Sequence, residues 1–195
     1  MIVAGIMFVA DMEQLQGHLL VASPQMQEPN FHRTVILVVK DDEDGTMGLV
    51  LNRPLEVSIK TACEKILETP CAVEGVLHAG GPCEGPLMIL NAGDAFGAAV
   101  GDLEVLPDVW FITNKEEIES LLAEGTNALK CFIGYAGWGA GQLDAEMEAG
   151  AWIAHPGTPE HVFSTDVRQW SKLMTQLTLP NEIDPKRIPD DPSTN

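Results

Sequence analysis

The sequence predicts an α+β domain built on a mixed, mostly antiparallel sheet. The first observation is a hairpin pattern: the β-branched run TVILVV at 34–39 and the run GLVL at 48–51 flank an acidic turn that ends in Asp-Gly. The second is that strand patterns after this hairpin alternate with helical periodicities of three and four residues. Hairpins followed by interspersed strands and helices are typical of α+β domains. A chain of 195 residues, 45% of them hydrophobic, is long enough for one such domain with one core.

The first third of the chain contains the strands that define the hairpin. Residues 17–22 form a short apolar strand that ends at a Ser-Pro pair, because proline cannot continue a central ladder. A polar loop at 25–33 leads into the run 34–39, which is apolar on both faces and is therefore predicted to lie centrally in the sheet. The four carboxylates of the turn at 41–45 do not match a calcium-binding loop, so the turn is interpreted as a solvated one.

The middle of the chain alternates between helix and strand patterns. Apolar residues at spacings of three and four predict an amphipathic helix over 58–68, with a capping box formed by Thr61 and Glu64. The segment GGPCEGP at 80–86 requires an irregular, tightly turned backbone, and the pattern over 91–108 is weak. Further strands are predicted at 76–79, 87–90 and 110–113.

The last third carries most of the predicted helices. A helix over 115–124 has Thr113 or Asn114 as its N-cap and Gly125 after its end. A strand at 129–135 leads into the glycine-rich loop 136–141. The remaining elements are a helix over 142–149 ended by Gly150, edge strands at 151–154 and 162–163, and a last helix over 166–177 capped by Ser164 or Thr165.

The domain is expected to span residues 15–178, with an N-terminal extension at 1–14 and a loose proline-rich tail at 179–195. The first ten residues are apolar but lack a preceding Lys or Arg and are too short to span a bilayer, so a start-site ambiguity at Met12 is favoured over a weak signal peptide. We therefore expect a cytoplasmic protein without membrane association, a monomer or weak oligomer. Four cysteines without a CxxC pair are expected to be free thiols, Cys63 and Cys131 in the core, and no metal or cofactor is predicted.

The charge balance limits the partners that the protein can bind. With 11 Lys and Arg against 29 Asp and Glu, the formal net charge is −18 and the isoelectric point is near 4.4. No Lys or Arg occurs between Lys65 and Lys115 or between Lys130 and Arg168, so the sequence lacks the basic stripe that nucleic acid binding needs. Direct binding to nucleic acid is not expected. The acidity is interpreted as a device for solubility, with recruitment of a basic partner as the alternative.

Signatures of catalysis are absent from the sequence. The glycines at 134–141 precede a helix, as in phosphate-binding loops, but their spacing fits no nucleotide motif, and Asp144 and Glu146 in that helix would repel a phosphate. Ser23 and Cys83 lack the companion motifs of catalytic nucleophiles. The five histidines are dispersed, and His18 and His78 are interpreted as structural. An enzyme remains open without being indicated.

A polar corner is the best candidate for a ligand site. If 34–39 pairs with 48–51, Arg33 and Asn52 emerge at the same open end of the hairpin, next to Asn30 and Arg53. The two arginines either brace carbonyls and carboxylates or hold a ligand. We predict that Arg33 is structural and that Arg53 faces a cleft for a small anion. The predicted ligand-binding residues are Asn30, Arg33, Asn52, Arg53, Gly80, Gly81 and Trp138.

Four blocks of sequence, in order, closely resemble the AlgH/YqgE family of bacterial proteins over residues 15–177: LLVASPQMQEPNFHRTVILVV, GxxGLVLNRPL, HAGGPCEGPL and GYAGWGAGQLDAEMEAGAW. The resemblance implies a strongly bent sheet closed into a pseudo-barrel with helices outside. Members of the family have been labelled transcriptional regulators, and the resemblance implies no established reaction.

Two functional hypotheses follow. The first is a cytosolic binding or regulatory module that affects transcription indirectly, through a protein or small-ligand partner, because the net charge opposes direct contact with DNA. The second is an enzyme of unknown class that acts on a small anionic substrate at the Arg33 and Arg53 corner. Turnover of metabolites and capture of partners would distinguish them.

Overall fold

Ten strands of the described residues, 14–67, 70–93, 103–125 and 128–178, form one sheet in this computed structural model. The strands are β1 (His18–Ala22), β2 (Val35–Asp42), β3 (Gly45–Val50), β4 (Pro54–Ser58), β5 (Val76–Ala79), β6 (Cys83–Ala92), β7 (Leu103–Leu106), β8 (Val109–Ile112), β9 (Leu129–Gly139) and β10 (Trp152–Pro156). The helices are α1 (Ile59–Ala62), which continues as the π-helical turn Cys63–Leu67, α2 (Lys115–Glu124), α3 (Gln142–Glu148), α4 (Pro159–Val162) and α5 (Gln169–Thr178).

The predicted hairpin is confirmed as β2 and β3, which pair antiparallel. Residues 35–39 of β2 are fully buried, as expected of a central strand that is covered on both faces. The turn is shorter than predicted, because Asp42 pairs with Gly45 and only Glu43 and Asp44 connect the strands. The Asp-Gly signal therefore marks the start of β3.

The longest strand, β9, changes neighbours along its length. Its first half pairs with β6 on one side and, in parallel, with β5 on the other, whereas its last four residues pair with β3. Gly134, at a φ of 72°, lies at this change of neighbours. The predicted loop at 136–141 is wrong, since pairing with β3 keeps the chain extended through Gly139. Tertiary pairing overrides the local glycine signal here.

The sheet order is β10-β1-β2-β3-β9-β6-β8-β7, with β5 beside β9 and β4 beside β5. All pairs are antiparallel except that of β5 with β9. The sheet curls into a half-barrel with helices around it, in one domain. The predicted α+β class and bent sheet are confirmed.

Several local predictions are wrong for identifiable reasons. Ser58 caps α1, because its Oγ accepts the N–H of Thr61, so Thr61 and Glu64 form no capping box. The predicted strand at 162–163 is replaced by α4, whose start is set by the Thr158 cap and Pro159 in the first helical turn. The helix α5 begins at Gln169, three residues later than predicted; ahead of it the Asp166 carboxylate accepts the N–H of Arg168, and Ser164 Oγ accepts the N–H of Asp166. The strands β4 and β7 were not predicted.

The core consists of three buried clusters on the faces of the curled sheet. One packs β1, β2 and β9 against α4 and α5, a second packs the sheet against α1 and α2, and a third contains Trp138 and Trp152 beside α3. The four cysteines are free, and Cys63 and Cys131 are buried as predicted. None of the helices in the described residues has the length and hydropathy needed to cross a membrane. The predicted extension and tail lie almost wholly outside the described residues, so the domain boundaries stay predictions.

Candidate ligand site

The arginine corner, defined as Asn30, Arg33, Asn52 and Arg53, is held together by side-chain contacts to backbone. Asn52 Oδ1 accepts the Val35 N–H at 3.0 Å, and Asn52 Nδ2 donates to the Arg33 carbonyl at 2.9 Å. Arg53 donates to the carbonyl of His32. Two of the four side chains therefore fix the entry into β2, which is a structural role.

The backbone of Arg33 lies at the corner beside Asn52, as the sequence suggested, but its guanidinium lies against Trp170 of α5. Its backbone lies in the left-handed region at a φ of 55°, and its side chain is exposed. The guanidinium lies 5.4 Å from the ring centre of Trp170, whose Nε1 donates to the Ala22 carbonyl at 2.7 Å. Arg33 thus covers α5 from outside by a cation–π contact. Asn30 is exposed on the preceding loop.

Gly80 and Gly81 pack directly against β9. A Cβ on Gly80 would lie 2.1 Å from the Gly134 carbonyl oxygen, and one on Gly81 would lie 2.2 Å from the Tyr135 carbonyl carbon. The Gly80 carbonyl also accepts the Val50 N–H, and the Arg53 carbonyl accepts the Ala79 N–H. Gly80 therefore lies beside Asn52 and Arg53 as predicted, where close approach of two backbones requires glycine.

Trp138 belongs to a separate aromatic cluster, defined as Phe31, Trp138, Trp152 and Glu146. Trp138 is 4% exposed, stacks on Phe31 at 6.1 Å between ring centres and meets Trp152 edge-on at 5.9 Å. Both indole N–H groups donate to Glu146 Oε2, at 3.0 Å from Trp138 and 2.8 Å from Trp152. The structure thus gathers Asn52, Arg53 and Gly80 and places Trp138 in a buried cluster.

An open cleft of about 400 Å³ lies next to the arginine corner, where the end of β3, β4, β5, the start of β9 and the segment between α4 and α5 meet. We call it the Lys130 cleft. It is lined by Leu51, Asn52, Pro54, Ile59, Glu74, Gly75, Val76, His78, Ala128, Leu129, Lys130, Phe163, Ser164, Thr165, Asp166 and Val167. Its size and largely apolar wall with a few polar groups are typical of small-molecule sites.

Lys130 is the buried charge of this cleft. The residue is 5% exposed, and its Nζ donates to the carbonyls of Leu51 at 3.2 Å and Ser164 at 2.9 Å. No carboxylate of the described residues forms an ion pair with it. Burial lowers the pKa of Lys130 from 10.5 to about 8, because the ammonium has lost its hydration and gained only neutral acceptors.

His78 lies beside Lys130 on the neighbouring strand. It pairs in register with Phe132, two residues along β9 from Lys130, so the three side chains share one face of the sheet. Its ring contacts that of Phe132 at 5.7 Å, and its buried Nδ1 makes no hydrogen bond to the described residues. Burial, and next the charge of Lys130, lower the pKa of His78 to about 4, so the imidazole is neutral at physiological pH.

The acidic groups at the rim of the cleft differ in how far their charge is balanced. Asp166 is bound by Lys172 at 2.6 Å and by Arg168 at 3.4 Å. The hydrogen bond from Lys172 is the main cause that lowers the pKa of Asp166 to about 2. Glu74 is exposed to solvent. A ligand anion would therefore meet one balanced and one hydrated carboxylate before it reached Lys130.

Sequence reasoning missed the Lys130 cleft. Lys130 stands in a predicted strand, LKCFIGY, and a lysine inside an apolar strand was the available signal. His78 was interpreted as structural, and its contact with Phe132 agrees with that interpretation. A purely structural role does not explain why its buried Nδ1 makes no hydrogen bond to the described residues. Among the residues that the structure describes, no group of three or more His, Cys, Asp or Glu side chains is placed to hold a metal ion.

Comparison with known proteins gives a consistent result. The AlgH-like family model matches residues 19–182. A UPF0301 protein of Chlorobium chlorochromatii is 39% identical over 178 residues, covering 86% of this chain and 89% of its own, and one of Streptomyces avermitilis is 34% identical over 194 residues, covering 96% and 98%. These names state no activity.

Solved structures agree with the sequence match. The solution structure of the AlgH protein from Pseudomonas aeruginosa superposes with a TM-score of 0.70 at 30% identity, over 87% of this chain and 91% of that one. A crystal structure of a protein from Corynebacterium diphtheriae gives a TM-score of 0.69 at 27% identity, over 87% and 90%. The chain belongs to the AlgH-like family.

Proposed function

We propose that the protein is a small-molecule binding module whose ligand, a small anion, occupies the Lys130 cleft. The observation that carries this proposal is Lys130: the residue is 5% exposed, its Nζ donates to two carbonyls and pairs with no carboxylate of the described residues, and it lines an open cleft. A buried cation without a counter-charge is costly, and a ligand carboxylate or phosphate would supply that charge.

The donor count of Lys130 supports an anion in particular. An ammonium group has three N–H donors, and the carbonyls of Leu51 and Ser164 accept two of them. The third donor has no acceptor among the described residues. Asn52, which also lines the cleft, has a second Nδ2 N–H that its bond to Arg33 does not use.

The cleft supports this role better than the arginine corner does. The guanidinium of Arg53 binds the His32 carbonyl, and that of Arg33 lies over an exposed edge of α5. A ligand at the corner would have to compete with these contacts in a solvated place, where a charge pair contributes at most about 1 kcal/mol. At the Lys130 cleft the cationic residue is 5% exposed, so the same pairing is less screened by water and is stronger. Regulation of transcription through the bound state is part of the proposal, without direct contact to DNA.

The test is a thermal-shift titration of the full chain with acetate, lactate and phosphate at constant ionic strength. A ligand at ten times its Kd should stabilise the protein by about 1.4 kcal/mol and raise Tm by about 3 to 5 °C. The shift should disappear in Lys130→Met and persist in Lys115→Met, a control on an exposed lysine of α2. It should also persist in Arg53→Ala.

Two results would overturn the proposal. The first is the absence of any anion-specific shift in the parent protein. The second is a shift that survives Lys130→Met, which would place the ligand elsewhere. Loss of the shift in Arg53→Ala alone would assign it to the arginine corner.

A further inference from the structure

The two hydrogen bonds of Lys130 match the donor count of a neutral amine. A primary amine has two N–H groups and one lone pair, and the carbonyls of Leu51 and Ser164 accept two N–H bonds at 3.2 and 2.9 Å. The lone pair then takes the one tetrahedral direction that neither carbonyl occupies. Lys130, Leu51 and Ser164 all line the cleft, so this nitrogen is held within the cleft wall. The two carbonyls fix the nitrogen and leave one tetrahedral position without a hydrogen bond to the described residues, which is the position that a nucleophilic amine uses.

The surroundings also favour the neutral amine. Burial lowers the pKa of Lys130 to about 8, so that the side chain is uncharged in roughly a quarter of the molecules at pH 7.5. An ordinary lysine is neutral in about one molecule per thousand at that pH. The neighbouring His78 is itself neutral, and a neutral imidazole beside the amine can take part in proton transfer.

We infer that Lys130 forms an imine with the carbonyl carbon of a small 2-oxo acid bound in the cleft. This inference rests on the proposed anion site and names its ligand class. The amine lone pair attacks the carbonyl carbon, the C=O π electrons move to oxygen, and the proton released by nitrogen passes to that oxygen through His78 or water. The carbinolamine then takes up a proton and loses water, leaving a C=N bond, and neither partner is oxidised or reduced.

A 2-oxo acid fits the cleft better than a simple aldehyde. Its carboxylate is the counter-charge that the buried nitrogen lacks, and formation of the protonated imine keeps the positive charge beside it. Asn52 and Ser164 line the same wall, and the second Nδ2 N–H of Asn52 and the hydroxyl of Ser164 are groups that can donate to carboxylate oxygens. The cleft volume of about 400 Å³ leaves room for a three- to six-carbon acid.

The experiment traps the imine on the folded full chain. The protein is incubated with pyruvate and cyanoborohydride at pH 7.5, and the reduced adduct is counted by intact mass and located by peptide mapping. We expect one adduct, on Lys130, formed at least about ten-fold faster than on any exposed lysine such as Lys115, because of the difference in neutral fraction. Lys115→Met should leave the trapping unchanged. Lys130→Arg keeps the charge and should abolish it, and Lys130→Met serves where the arginine does not fit.

Matched probes separate failure of this inference from failure of the anion site. Lactate has the same carboxylate as pyruvate without the carbonyl, and propionaldehyde has the carbonyl without the carboxylate. A thermal shift with lactate and pyruvate but no adduct on Lys130 overturns the imine and leaves the anion site standing. No shift and no adduct overturns both. Trapping of propionaldehyde as fast as pyruvate overturns the 2-oxo acid as the ligand class.

Discussion

The fold treats two charged side chains in opposite ways: Glu146, half-buried in the aromatic cluster, and Lys130, buried in the wall of its cleft. Glu146 accepts N–H groups from Trp138, Trp152 and Gln142, all within 3.0 Å. Burial alone would raise the pKa of Glu146, but the bonds from Trp152, Trp138 and Gln142 outweigh it and the pKa lies below its usual value. For Lys130, burial wins and its pKa falls to about 8.

The difference shows which of the two charges has a structural role within the fold. The carboxylate of Glu146 is complete within the domain, because side chains of β9, α3 and β10 donate to it and tie these elements together. The ammonium of Lys130 is incomplete and faces an open cleft. A satisfied buried charge contributes stability, whereas an unsatisfied one lowers stability and is available for binding.

The largest expected effect tests the Glu146 side of this comparison. Glu146→Ala leaves two buried indole N–H groups without an acceptor, which should cost about 3 kcal/mol and lower Tm by about 6 to 12 °C. Thermal unfolding followed by tryptophan fluorescence measures this change directly, because Trp138 and Trp152 report on the cluster itself.

Glu148→Ala is the matched control for that change. Glu148 lies two residues away on the same helix and is exposed, so its removal should change stability by no more than about 0.5 kcal/mol. If both variants lost the same stability, the helix rather than the indole bonds would be responsible, and Glu146 would not be the brace described here.

The next effect tests the Lys130 side through pH. Between pH 8 and 10.5 the unfolded chain keeps a proton on this lysine that the folded chain has lost, so raising the pH stabilises the folded state; below pH 8 both forms are protonated and the contribution is constant. The free energy of unfolding of the parent should therefore rise relative to Lys130→Met by about 2 kcal/mol from pH 7 to pH 10. Urea unfolding of the two proteins at each pH measures it, since the other titrating groups are common to both.

Lys115→Met provides the reference for the pH series, because Lys115 is exposed. Its stability difference from the parent should stay flat over the same range. A flat difference for Lys130→Met as well would mean that Lys130 keeps its hydration, and the contrast with Glu146 would disappear.

Local patterns predicted the parts of the fold whose burial is set by one strand or one helix. The β2 and β3 hairpin and α2 with its Asn114 cap were readable because their hydrophobic periods and turn residues agree. The strand at 136–139 could not be predicted from the local sequence, because the glycines there pair with a strand distant in sequence. The fold class followed from the order of elements, and the strong bend of the sheet from family resemblance.

For the candidate site, too, contacts between neighbouring strands were predicted and contacts between distant segments were not. Hairpin register brought Arg33, Asn52 and Arg53 together, as predicted, because it depends on neighbouring strands. The cleft joins four segments of the chain separated by up to 116 positions, from Leu51 to Val167, and no local pattern contains that information. A lysine in an apolar strand signals a buried charge, but its acceptors, Leu51 and Ser164, come from elsewhere in the fold.

The smallest expected effects concern the two arginines. They decide whether the arginine corner has a structural role, as Glu146 has, or a binding role, as proposed for Lys130. Arg53→Ala removes a charged donor from the His32 carbonyl in a half-buried place and should cost about 1 to 2 kcal/mol. Arg33→Ala removes an exposed cation–π contact with Trp170 and should cost about 0.5 kcal/mol. This order reverses the roles expected from the sequence, in which Arg33 was the structural residue. Chemical denaturation of both variants, with and without phosphate, measures it. A larger loss of stability from Arg33→Ala would restore the sequence-based assignment of the two roles. A phosphate effect that vanishes only in Arg53→Ala would move the anion site from Lys130 to the arginine corner.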